Sequence, residues 1–297
     1  MESSPSDLAP DITLIRDILK LKAEKNAAIL AHNYQSPEIQ FIADFVGDTL
    51  SLAYIAKNLK NGIIIFCGPD FMAETATILS KNKIVVHANE KAKCPMAAMV
   101  TSEELQLKKE AHPNAKVVGY VNTTAECKCE MDICCTSSNA VKIIRSLDAK
   151  EIIFVPDRNL GLNVKRFIPD KEIILWPGYC VVHEIISKQD ILQLASAHPN
   201  AKIIVHPECR PEVVDLAHAM LSTDGMIKHV ANSPFKEFIV GTELDLTYRM
   251  IEENPDKRFY PVPKAYCRTQ KKIKLENVLT ALETLEPKVS LPKDVIE

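Results

Sequence analysis

Glycine is scarce in this chain, 8 of 297 residues, against about 7% in ordinary proteins. Neither Gly-x-Gly-x-x-Gly nor a P-loop occurs, which excludes the two glycine-rich cradles for dinucleotides and nucleoside triphosphates. Any phosphate must then be held by helix N-termini and hydroxyl side chains. Thr136-Ser137-Ser138-Asn139 and Ser222-Thr223-Asp224-Gly225 suit that task. Long apolar runs are also missing. No stretch approaches the length of a membrane span, and Met1–Pro10 lacks the basic and apolar regions of a signal peptide. Nor is one sign of charge in excess: 36 basic and 39 acidic residues leave a net −3, mixed along the chain. No nucleic-acid-binding face is indicated. These absences predict a soluble cytoplasmic protein with neither membrane nor nucleic acid as partner. Its length is ample for two or three small domains with real cores.

Cysteine, by contrast, is plentiful, with nine in the chain. In an intracellular protein they are ligands or reduced thiols sooner than a disulfide framework. Three of them mark an internal repeat. The hexapeptide Ala111-His112-Pro113-Asn114-Ala115-Lys116 recurs as Ala197-His198-Pro199-Asn200-Ala201-Lys202, an offset of 86. Cys94 and Cys180 keep the same step of 86, and Cys267 follows 87 later. A fixed period of this size means repeated supersecondary units. Three copies around a pseudo-threefold axis bring three thiols to one point.

Other landmarks keep the period. Ala28–His32, Val117–Asn122 and Ile203–His206 are apolar runs ending in polar residues; Ile63–Phe66, Ile152–Val155 and Phe238–Val240 form a second set. Ile84–His87, Ile173–Trp176 and Phe259–Tyr260 form a third, before each cysteine. Short, β-branched and nearly all apolar, they read as strands buried on both faces of parallel sheets. Helical patterns separate them. Thr101-Ser102-Glu103-Glu104 has capping-box spacing and opens a helix stopping before Pro113. Ser36-Pro37-Glu38 opens another, with Ile39, Ile42, Phe45 and Val46 as its apolar face. The expected fold is therefore α/β: three pseudo-threefold-related αβα domains with small parallel sheets around a central site. The expected boundaries are 1–98 with an N-terminal helix, 99–185, and 186–297 with a C-terminal helix. The competing architecture is one large doubly wound sheet.

In such sheets ligands sit beyond the carboxyl ends of the strands. His32-Asn33-Tyr34, Tyr120-Val121-Asn122 and His206-Pro207-Glu208 close the first strand of each unit. The cysteines follow at the same edge. A rival metal site would use Cys127, Cys129, Cys134 and Cys135, but their steps of two, five and one are poor for tetrahedral chelation. Adjacent Cys134 and Cys135 point apart in a strand or a helix. These four are read as small buried or semi-buried thiols beside a helix start. Cys67 reads as core, and Cys209 as either core or site. Three thiolates without a fourth protein ligand leave one iron of a [4Fe–4S] cluster open to act as a Lewis acid. His112 and His198 belong to the repeated helix-to-strand junction. His87, His218 and His229 stand without a constellation, and Lys108-Lys109 and Lys271-Lys272 read as solvated faces.

At these residues the chain resembles the quinolinate synthase family, iron–sulfur enzymes of de novo NAD biosynthesis. The resemblance runs in order from Leu14 to Leu285. It is carried by Ala31-His32-Asn33-Tyr34-Gln35, Cys94-Pro95-Met96-Ala97, Tyr120-Val121-Asn122-Thr123-Thr124-Ala125-Glu126, Cys135-Thr136-Ser137-Ser138-Asn139-Ala140, Pro156-Asp157-Arg158-Asn159-Leu160-Gly161, Trp176-Pro177-Gly178 and His206-Pro207-Glu208-Cys209. The family fold is similar, with a [4Fe–4S] cluster at the centre of three α/β domains. Its reaction condenses iminoaspartate with dihydroxyacetone phosphate to quinolinate, with loss of phosphate and two waters.

The resemblance implies Cys94, Cys180 and Cys267 as cluster ligands. It implies Glu208, Tyr34, Tyr120 and His206 as catalytic groups, with Glu208 a base whose pKa burial would raise. His32, Thr49, Asn122, Ser137, His183, Ser222 and Thr223 are implied to hold substrate; Thr49 stands where serine is common. An aspartate-oxidising enzyme is implied as transient supplier of the unstable iminoaspartate. Departures cluster in the third repeat: His218 for an acidic residue, Leu221 for glycine, Asp245 for glycine, and Gln270 for methionine. Two other readings remain: a three-cysteine cluster hydro-lyase acting on another small carboxylate, and a non-catalytic iron–sulfur sensor.

Overall fold

The computed structural model describes residues 12–297; the Met1–Pro10 stretch lies outside them. Among the described residues twelve strands form three four-stranded parallel sheets. The first holds β1 (Ala27–His32), β2 (Phe45–Gly47), β3 (Ile63–Cys67) and β4 (Ile84–His87). The second holds β5 (Lys116–Tyr120), β6 (Ile133–Cys135), β7 (Glu151–Val155) and β8 (Glu172–Leu175). The third holds β9 (Lys202–Val205), β10 (Ala219–Met220), β11 (Glu237–Gly241) and β12 (Arg258–Pro261). All share one order, β2-β1-β3-β4, β6-β5-β7-β8 and β10-β9-β11-β12. The architecture is the expected set of three αβα units, not one large sheet.

Alternation along the strands makes two cores per sheet. Ala27, Ile29 and Ala31 of β1 face Ile65 and Val86 together with Ile15, Ile18, Val278 and Leu282. Ala28 and Leu30 face the other way, with Ile64, Phe66, Leu52 and Met72. Burial on both sides is why these strands carry no polar alternation. Helix Leu275–Thr284, which follows the third unit in sequence, packs on helix Ile12–Glu24 of the first. The segment after it lies along β4, where Val289 N donates to Val85 O and His87 N to Pro287 O.

Each unit carries a fourth strand that the apolar runs did not announce: β2, β6 and β10. Phe45 and Val46 lie in β2, not on the face of the helix opened by Pro37, which ends at Ile42. The reason is a side-chain clamp. Asp44 Oδ2 accepts from Ile29 N while Asp44 N donates to Ile29 O, which pins the chain to the edge of β1. Asp132 clamps Val117 in the same way in the second unit. In the third, His218 N donates to Ile203 O and its Nδ1 accepts from Ile203 N at 3.0 Å. His218 thus does with a ring nitrogen what the aspartates do with a carboxylate, which gives this departure from the family a structural role.

The capping box at Thr101 is formed with Glu104, and its helix Ser102–Ala111 ends at His112. Helix Lys188–Ala197 ends at His198 with nearly the same backbone, φ −133° and ψ 70° against −135° and 65°. Ala115 N and Ala201 N each donate back to those histidine carbonyls. The repeated hexapeptide is therefore a stop-and-turn device feeding β5 and β9. Among the described residues no helix is long and apolar enough to cross a membrane.

Candidate active site

The carboxyl ends of the three sheets converge on one cavity of about 790 Å³, counted with its open mouth. Cys94, Cys180 and Cys267, which follow β4, β8 and β12, all line it. So do His32, Tyr34, Thr49, Tyr120, Asn122, Ser137, His206, Glu208 and Thr223. Of the site residues named from the sequence, His183 and Ser222 are placed behind this lining. Ser222 is the N-cap of helix Thr223–Asn232, its Oγ accepting from Gly225 N. His183 is wholly buried. Of the other cysteines, Cys67 and Cys209 are core, with Cys209 Sγ donating to Gly241 O at 3.4 Å. Cys127 and Cys135 are buried, whereas Cys129 and Cys134 are exposed, contrary to the semi-buried expectation. Strand alternation in β6 turns Cys134 outward and Cys135 inward.

Behind the lining runs a chain of close polar contacts. Tyr34 Oη lies 2.7 Å from Thr242 Oγ1, which lies 2.8 Å from His183 Nε2. His183 Nδ1 is 2.7 Å from Glu208 Oε2, and Tyr120 Oη donates to Glu208 Oε1 at 2.5 Å. The two tyrosines, from different units, are thereby joined through threonine, histidine and glutamate. Sequence reading missed Thr242; no local signal marks one buried threonine after a strand. Cys180, His183 and Glu208 each offer a ligand atom within 4.8 Å of the others.

Two other histidines are oriented by backbone amides. His32 Nδ1 lies 3.1 Å from Tyr34 N, which donates to it, and 3.0 Å from Gln270 Nε2. His206 Nδ1 accepts from Glu208 N at 3.3 Å. An Nδ1 that accepts leaves the proton on Nε2 in the neutral ring, and His206 Nε2 lies 3.4 Å from Ser137 Oγ. Thr223 Oγ1 accepts from Asn33 Nδ2 at 3.0 Å, and Asn33 Oδ1 in turn accepts from Arg249. Asn122 Oδ1 is buried without a partner. Such an atom on a cavity wall is suited to a ligand's donor.

Burial dominates the electrostatics. It lowers His32 to about 4 and His206 to about 3, leaving both rings neutral near neutral pH. It raises Tyr34 and Tyr120 well above the usual phenol range, with the Glu208 charge adding to the effect. It pushes the Cys94 thiol up to about 12, and Cys180 is raised by burial and then by Glu208. Glu208 reverses the sequence expectation. Burial pulls it up, but His206, His183 and the Tyr120 hydroxyl outweigh that, so it sits below the usual carboxylate range. The Tyr120 hydroxyl and His183 Nδ1 meet the anion at 2.5 and 2.7 Å.

Lys271 is a second reversal. Expected on a solvated face, it is buried, 2.9 Å from Glu243 Oε1 and 2.6 Å from Asp245 Oδ2, and it donates to the Tyr34 carbonyl. Asp245, a departure from the family pattern, is thus a partner for this lysine. Gln270, another departure, lines the cavity and bridges His32 to Gln35. Leu221 does not line it.

Residues 16–297 match the family model described as Quinolinate synthetase A protein. The chain is 49% identical to the quinolinate synthase of Methanoregula boonei over 283 residues, 95% of this chain and 93% of that one. It is 48% identical to that of Thermodesulfovibrio yellowstonii, over 95% and 93% of the two chains. It is 50% identical to quinolinate synthase 2 of Methanosarcina acetivorans, over 96% and 92%.

Proposed function

The chain belongs to the quinolinate synthase family, and on that premise we propose that it condenses iminoaspartate with dihydroxyacetone phosphate. The products are quinolinate, phosphate and two waters. These formulae balance with no oxidant or reductant, so a cluster at the site has no electrons to supply. The observation that carries the reading is the convergence of three thiols, two tyrosines, two neutral histidines and one anionic carboxylate from three units on one cavity.

The thiol set fits a [4Fe–4S] cluster held by Cys94, Cys180 and Cys267. Three thiols line the cavity with no fourth cysteine beside them. The raised pKa values of Cys94 and Cys180 are those of bare buried thiols, which a cation lowers. When bound, such a cluster supplies an open iron that polarises a substrate oxygen or helps hydroxide leave.

The protein's own groups do the rest. Nε2–H of His32 and of His206 donate to carboxylate or carbonyl oxygens of the substrates. Thr49, Ser137 and Thr223 offer hydroxyls to a phosphate or carboxylate, and Asn122 Oδ1 takes a donor such as the imino nitrogen. In one consistent proton arrangement Tyr34 donates to Thr242 and Thr242 to His183 Nε2, which leaves the His183 proton on Nδ1, 2.7 Å from Glu208 Oε2 but off the line of a hydrogen bond to it. The relay lets a proton taken at Tyr34 be balanced at Glu208 and returned through Tyr120. Glu208, held low, serves as anionic anchor for Tyr120 and His183; it is too weak a base to abstract a carbon-bound proton unaided. Ser222 caps the helix that presents Thr223, and His183 positions the relay.

Iminoaspartate is unstable in water, so its supply by an aspartate-oxidising enzyme, by direct handover, is part of this reading. The hydro-lyase alternative drew on the altered third repeat, but of Leu221, Asp245 and Gln270 only Gln270 reaches the cavity wall. The test is anaerobic purification and a quinolinate assay with dihydroxyacetone phosphate and freshly generated iminoaspartate. Product is expected from the wild type and not from Cys180→Ala, whereas Cys209→Ala keeps its iron. A cluster-loaded protein that makes no quinolinate refutes the reading.

A further inference from the structure

Each thiol proposed to hold the cluster has the same unexplained neighbour. Cys94 N donates to Asp70 Oδ1 at 3.1 Å, Cys180 N to Asp157 Oδ2 at 3.1 Å, and Cys267 N to Glu243 Oε1 at 3.1 Å. The acids keep the period of the repeat: Asp70, Asp157 and Glu243 are spaced 87 and 86 apart. Each follows the strand that lies beside β1, β5 or β9 at the centre of its sheet, namely β3, β7 or β11. Three independent loops have thus placed a carboxylate under the amide of the residue that presents the sulfur. A helix-capping role alone does not explain this. Asp157 does cap the helix starting at Arg158, through Leu160 N. Glu243 caps nothing; its second oxygen accepts from Asp245 N, and Lys271 lies 2.9 Å from the first. What the three share is the cysteine amide.

We propose that Asp70, Asp157 and Glu243 are positioning residues, one per unit, that fix the cysteine backbones so that all three sulfurs face one centre. The proposal rests on the cluster reading above. An amide tied to a carboxylate behind the loop cannot turn toward its own sulfur. In the third unit the Cys267 sulfur also lies 3.5 Å from the Thr269 hydroxyl of the following turn. A charge-assisted hydrogen bond to the amide holds the loop more firmly than a neutral one. Partners that orient metal ligands in this way are typically worth about 10- to 100-fold in metal affinity. Three such tethers converging from separate units also let the site keep its shape before iron arrives.

Asp70 is the cleanest to test, because among the described residues its carboxylate accepts, beyond the cysteine amide, only from Phe71 N. Wild type, Asp70→Ala and Asp70→Asn are reconstituted without oxygen. Iron and sulfide per chain are measured, then the rate of iron release to a chelator, and the melting temperature of each apoprotein. Release from Asp70→Ala is expected to be about 10- to 100-fold faster than from wild type. Asp70→Asn keeps an acceptor oxygen and should rescue part of the loss. Wild-type release rates in Asp70→Ala overturn the proposal and leave the cluster reading standing. A wild type that assembles no cluster refutes that reading first. If Asp70→Ala does not fold, Asp70→Asn alone decides: release at the wild-type rate overturns the proposal. Asp157→Asn and Glu243→Gln should repeat the Asn result in the other two units.

Discussion

Replacing Thr242 by valine isolates the relay, because the two side chains have similar shape and differ in one hydroxyl. Thr242 is wholly buried, and its hydroxyl holds Tyr34 Oη at 2.7 Å and His183 Nε2 at 2.8 Å. Valine leaves both unpaired, at about 1–3 kcal/mol each. Tyr34 can recover part of that at the cavity wall, so about 2–4 kcal/mol of apoprotein stability should be lost. At about 2 °C per kcal/mol for a chain of this size, melting falls by about 4–8 °C. The catalytic effect is distinct. A positioned acid–base group contributes typically about 10²–10⁴-fold, so kcat for quinolinate should drop about 100-fold or more in a protein with unchanged iron content. Thr242→Ser keeps the hydroxyl and should restore kcat to within about tenfold of wild type. A Thr242→Val protein with full iron and a kcat close to wild type would refute the relay, whatever its stability.

Two further outcomes follow from the buried charges. Lys271→Met removes the cation facing Glu243 and Asp245 and should cost about 3–5 kcal/mol in urea unfolding, while exposed Lys272→Met should change stability by no more than about 0.5 kcal/mol; equal midpoints for the two would contradict the buried ion cluster. His32 and His206, held at about 4 and about 3, bind protons in the unfolded chain below its usual 6.5 but not in the folded one. The unfolded state therefore gains protons first, and apoprotein stability should fall by about 2 kcal/mol per ring between pH 6.5 and 5. Glu208, held below its usual 4.5, gives stability that is lost only further down, as pH falls below that value. Urea midpoints at pH 7 and pH 5 that coincide would contradict the neutral histidines.

Fold and thiols were legible for the same reason: they are periodic. Runs such as Ile63–Phe66 are apolar throughout because both faces of their sheets are covered, and a period of 86 repeats that pattern with its cysteine. The edge strands were not legible. Three residues or fewer carry no period, and β2, β6 and β10 are defined by a clamp to the neighbouring strand, made by Asp44, Asp132 and His218. The acids beneath the cysteines keep the repeat too, yet a lone carboxylate every 86 or 87 residues is invisible among 39 acidic residues until its partner is seen.

The amino-acid sequence by itself determined the three αβα units, the edge at which each presents its polar residues, and the arrival of Cys94, Cys180 and Cys267 at that edge. These follow from local periodicity, capping and chain direction. Only the tertiary structure decided which groups meet across units. Tyr34 finds Thr242 across 208 residues, His183 and Tyr120 close on Glu208, and Lys271, paired with Glu243 and Asp245 in its own unit, donates to the Tyr34 carbonyl of the first. The charge state of Glu208 was decided there as well. Burial alone raises a carboxylate, and short contacts from the second unit help reverse it. Such reversals depend on distances of a few ångströms between distant segments, and no spacing along one chain encodes them.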